Sequence, residues 1–86
     1  MSTIAPAAVK PADPASLEKT AYDSVKSIPT KEPNDQVRLG YTVWLALKEK
    51  NGTVADAVRL SGARLLIPEK EAVTIIEAAL KNAGAL

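Results

Sequence analysis

Five cationic side chains, Arg38, Lys48, Lys50, Arg59 and Arg64, fall between positions 38 and 64. Brought onto one surface they would contact phosphates, and each contact would steepen the salt dependence of binding by about one unit of log-log slope. They converge only if the helices on either side of Asn51-Gly52 fold back on each other. Glu49 and Asp56 stand among them, and scattered Lys and Arg are ordinary on any solvated face. Tyr41 and Trp44 are the other side chains with binding chemistry, because exposed rings stack on single-stranded bases. At helical spacing beside Val37 and Leu45, a core role is the favoured reading of both.

Reactive groups are scarce. The chain has no His and no Cys, so the usual general base, the thiol nucleophile and the common zinc ligands are missing. Glu69 and Glu71 are two residues apart on an expected helix and point to different sides, while Glu32 and Asp35 fall in a loop or cap. The four glycines are dispersed and make no phosphate loop. No calcium-loop spacing occurs. These absences lead us to expect a protein that is not an enzyme and uses neither cofactor nor metal.

The 86 residues are enough for one domain, expected over 13–86. A chain of this size buries about 60–65% of its unfolded surface and should have a net stability of roughly 5 kcal/mol. Hydrophobic residues make up 47% of it, many of them Ala, which favours helix but buries little area. The net charge is +1 and is spread evenly along the chain, a weak basis for a protein whose main work is neutralising phosphates. No apolar run approaches the ~20 residues that span a bilayer, and the N-terminus lacks the pattern of a signal peptide. The expectation is a cytoplasmic protein without membrane contact.

The elements follow from punctuation and period. Residues 1–12 are rich in Ala and Pro and read as a disordered tail. Asp13-Pro14 opens a first helix over 14–28, with Leu17, Ala21, Val25 and Ile28 on one face and Pro29 as its stop. Asn34 and Asp35 open a second helix over 35–50, closed by Asn51-Gly52. Its stretch Val37–Lys50, VRLGYTVWLALKEK, holds the only Trp and is expected to centre the core through Val37, Tyr41, Trp44, Leu45 and the stem of Lys48. Gly40 marks close approach of a neighbouring helix. Thr53 and Asp56 resemble a capping box at the start of a third helix. Residues 63–67, ARLLI, fit either a helical turn or a short extended piece. Pro68 is expected at the first position of a last helix with Ala72, Val73, Ile76, Ala79, Leu80 and Ala83 inward and an exposed Glu77–Lys81 pair.

The run GTVADAVRLSGARLL, residues 52–66, resembles the first helix and turn of helix-turn-helix proteins. That resemblance implies a DNA-binding regulator using residues 53–80, with Arg59 and Arg64 near backbone or base edges. The chain departs from the pattern after the turn, where Leu65, Leu66, Ile67 and Pro68 replace the polar side chains that read bases. Read as a strand, ARLLI followed by a helix resembles the ribbon-helix-helix repressors, but the second helix of that family is missing.

Taken together, the chain is expected to be all-α, a compact domain of three or four helices. Its leading function is a non-enzymatic interaction or regulatory protein. It would present apolar helix surface, drawn from Leu45, Leu47, Leu65, Leu66 and Ile67, to a protein partner or to a second copy. Nucleic acid is the alternative partner.

Overall fold

The structure, a computed structural model, describes residues 14–49 and 52–86. The expected tail, the Asp13 cap, Lys50 and Asn51 lie outside the described residues. Four helices form: α1 (Pro14–Ser24), α2 (Pro33–Glu49), α3 (Val54–Leu60) and α4 (Glu69–Asn82), with no strand among the described residues. The fold class is all-α, as expected.

α1 stops four residues before the expected Ile28. Beyond Ser24 the chain tightens into three-residue turns, with Val25 N donating to Tyr22 O at 3.4 Å, Lys26 N to Asp23 O at 3.2 Å and Ile28 N to Val25 O at 3.0 Å. The Gln36 amide then donates to the Val25, Lys26 and Ile28 carbonyls at 3.1, 3.2 and 3.0 Å. One side chain from α2 therefore satisfies acceptors that a longer helix would have used internally. The apolar stripe survives the change, because Ala21, Val25 and Ile28 are fully buried.

α2 begins at Pro33, so Asn34 and Asp35 both lie inside its first turn rather than at its cap. The Asp35 carboxylate reaches back to accept from Glu32 N at 3.1 Å, while Asp35 N donates to Glu32 O at 3.0 Å. The capping box of α3 is present, with Thr53 Oγ1 accepting from Asp56 N at 3.1 Å. Pro68 stands at the N-cap position of α4, one residue before the expected first helical position, and makes no side-chain cap bond. At the far end Gly84, at φ 79°, lets Ala85 N reach Leu80 O at 2.8 Å and Gly84 N reach Lys81 O at 3.0 Å. That is the Schellman arrangement, and Ala85 packs back on the core as it requires. Glu77 and Lys81 make no ion pair; the i,i+3 and i,i+4 pairs that form are Lys19–Asp23, Lys26–Asp23 and Arg59–Asp56.

The core is aliphatic. Val25, Ile28, Leu39, Val43, Ile76 and Leu80 are its largest fully buried apolar side chains, with Val54, Ala57 and Val58 from α3. α1 packs on α2 and α4, and α3 bridges α2 and α4. The Tyr22 ring lies directly over Gly40, so this glycine does admit a close neighbour.

Trp44 does not centre the core. α2 carries two stripes, and the inward one runs from the ion-paired Asp35 through Leu39 to Val43, four residues apart. Val37 and Tyr41 on the second stripe face away from it, while Trp44 on the same stripe packs against the core's edge. The inner positions Leu39 and Val43 join Ile28, Ile76 and Leu80 in one close-packed aliphatic cluster. Val37 is 55% and Tyr41 48% exposed. Trp44 is half-buried at the edge of the core, with its indole Nε1 buried and unpaired.

Candidate interaction surface

The outward stripe of α2 is built by helical geometry alone. Val37, Tyr41, Trp44 and Lys48 are spaced four, three and four residues apart, which stacks them along one side of the cylinder. The Tyr41 and Trp44 ring centroids lie 5.9 Å apart at a tilt of 58°, within the range of favourable aromatic pairs. Lys48 Nζ sits 5.0 Å from the Trp44 ring centre, a cation–π contact. Arg38 and Glu49 are exposed along one flank. The two rings and the Lys48 ammonium thus form one ridge, with the cation at its C-terminal end.

The expected apolar surface is distributed differently. Leu47, Leu65 and Ile67 are partly buried and pack against the core, and Leu45 is half-buried. Leu66 is 59% exposed. Sequence reasoning missed Val37 and Tyr41 as surface residues because it assigned their stripe to the core. It also missed Leu60, which is exposed.

Two of the expected cations are paired within the chain. Arg59 Nη2 pairs with Asp56 Oδ1 at 2.6 Å. Arg64 pairs with Asp35: its Nε lies 3.3 and 3.2 Å from the two carboxylate oxygens and its Nη2 lies 3.2 Å from Oδ2. Arg38 makes no ion pair among the described residues, Lys48 lies over Trp44, and Lys50 is outside them.

Residues 61–68 are neither a further helical turn nor part of a sheet. Leu65 forms an isolated antiparallel bridge with Thr30, Lys31 N donating to Arg64 O at 3.0 Å and Leu66 N to Pro29 O at 2.9 Å. The connection between α3 and α4 is therefore longer and more extended than the three- or four-residue turn of a helix-turn-helix unit. The helix that would enter the major groove, α4, has Glu69 and Glu71 in its first turn.

Asp35 fastens this end of the molecule. Burial pushes its carboxyl up, but the hydrogen bonds from Arg64 and Glu32, with the charge of Arg64, outweigh burial and hold it below the usual carboxylate range. Exposed Asp23 and Asp56 are also lowered, by their hydrogen bonds to Lys19 and Lys26 and to Arg59 and Thr53. An open groove of about 410 Å³ runs beside the loop, lined by Lys26, Pro29, Lys31, Glu32 and Gln36. Its one side-chain amide, that of Gln36, is committed to the Val25, Lys26 and Ile28 carbonyls. Among the described residues no cluster of acids is placed to hold a metal ion, and no helix is long and apolar enough to cross a membrane.

No family model matches this chain, and no match is found among curated proteins or among solved structures.

Proposed function

We propose that this chain is a small non-enzymatic interaction module that offers the outward stripe of α2 to a protein partner. One observation carries the reading: Val37 and Tyr41 remain about half exposed on the longest helix after its other face is fully buried. Apolar and aromatic side chains spaced along one helix face are the anchors by which helices dock into partner surfaces. The lack of His and Cys, and the committed state of Asp35 and Gln36, leave little else for the surface to do chemically.

The test separates interface from core. The double variant Val37→Ser, Tyr41→Ser should unfold in urea within about 1 kcal/mol of the parent, as surface changes do. A loss of several kcal/mol would mean that the stripe belongs to the fold, and the reading would fail.

A further inference from the structure

We infer that the partner of the α2 stripe is a second copy of this chain, packed antiparallel along α2. The inference rests on the interaction reading above and names its occupant. Charge placement argues for it. Arg38 and Glu49 are both exposed, lie on the same flank of α2 eleven residues apart, and make no ion pair among the described residues. Eleven residues is about three helical turns, so the two opposite charges stand at the two ends of one rim.

Turned end for end about a two-fold axis near residues 42 and 43, α2 meets itself in register. Tyr41 of one copy lies against the partner's Trp44, and Val37 against the stem of the partner's Lys48. Arg38 then lies beside the partner's Glu49, and the symmetry forms that ion pair twice. The spacing of four, three and four residues from Val37 to Lys48 reads the same from either end, which an isologous contact requires. A parallel pair would instead set Arg38 against Arg38 and Lys48 against Lys48. A net charge of +1 opposes association little. One helix face sits at the low end of specific interface areas, below about 1,200 Å², so the dimer should be weak and reversible.

Sedimentation equilibrium over micromolar to millimolar chain should show mass rising from one chain to two. Arg38→Glu should weaken association at least tenfold, and Arg38→Glu with Glu49→Arg should restore it. The chain has no Cys of its own, so single-cysteine variants report orientation directly. An oxidised mixture of Val37→Cys and Lys48→Cys should give mainly the mixed disulfide. Failure of the double charge reversal to restore association, or a predominance of Val37→Cys homodisulfide, would overturn the antiparallel arrangement. A single-chain mass at every concentration would overturn self-association. If the Val37→Ser, Tyr41→Ser variant is still stable in that case, the face remains one for a different protein. Loss of that variant's fold removes the face altogether.

Discussion

The two sides of α2 make opposite use of apolar residues. The inner side holds Asp35, Leu39, Gly40 and Val43, all buried. The outer side holds the larger side chains Tyr41 and Trp44, yet Tyr41 is half exposed and Trp44 is only partly covered. Ring size therefore does not mark the core in this chain. Fit does: the aliphatic stripe can interlock with Ile28, Ile76 and Leu80, and Gly40 lets Tyr22 of α1 close over the helix flank. The outer side keeps an unpaired indole N–H at its base, a donor whose burial without a partner costs about 1–3 kcal/mol.

The largest contrast between the sides should come from Leu39→Ala, which should cost about 2–5 kcal/mol in urea unfolding, transfer and cavity terms together. A cost below 1 kcal/mol would break the assignment of the inner side. Gly40→Ala should come next. The helix gains from alanine, but the new methyl collides with the Tyr22 ring, so a net loss of about 1–3 kcal/mol is expected. Adding Tyr22→Ala should recover part of it, and strict additivity of the two losses would show that the ring is not the obstacle.

Asp35→Asn should lower the urea midpoint by less than Leu39→Ala, and its signature is in pH. The folded carboxyl ionises at lower pH than the unfolded one. Its stabilisation is thus fully present above the unfolded value of about 3.9 and is lost as pH falls through the folded value. The variant should show a shallower acid limb than the parent; an unchanged limb would mean that Asp35 and Arg64 are not coupled in solution. The smallest effect belongs to Trp44→Phe. The lost ring area and the removal of the orphaned donor offset each other, so a change within about 1 kcal/mol is expected. A large loss would place the indole in the core after all.

Much of the local structure is written in short-range chemistry. The Thr53 cap, Pro68 before α4, the Gly84 close and the inward Ala72, Ile76 and Leu80 all follow from residue type and spacing. The stripe Ala21, Val25 and Ile28 was legible too, although its helix ends at Ser24, because carbonyls that a helix would satisfy are taken by Gln36 from outside. The site was less legible. Arg64 reads as a free cation until the chain folds and Asp35, far away in sequence, meets it. Residues 63–67 have no periodicity that settles their state, and their pairing with the 29–31 loop is a long-range event.

The sequence by itself determined the helical breaks, the Thr53 cap and the apolar periods, since those depend on neighbours within a turn. It also determined the poverty of reactive groups. Which of the two stripes on α2 turns inward was decided only by the tertiary structure. Both have helical period, and the choice depends on whether α1, α3 and α4 present a surface that small aliphatic side chains or large rings can fill.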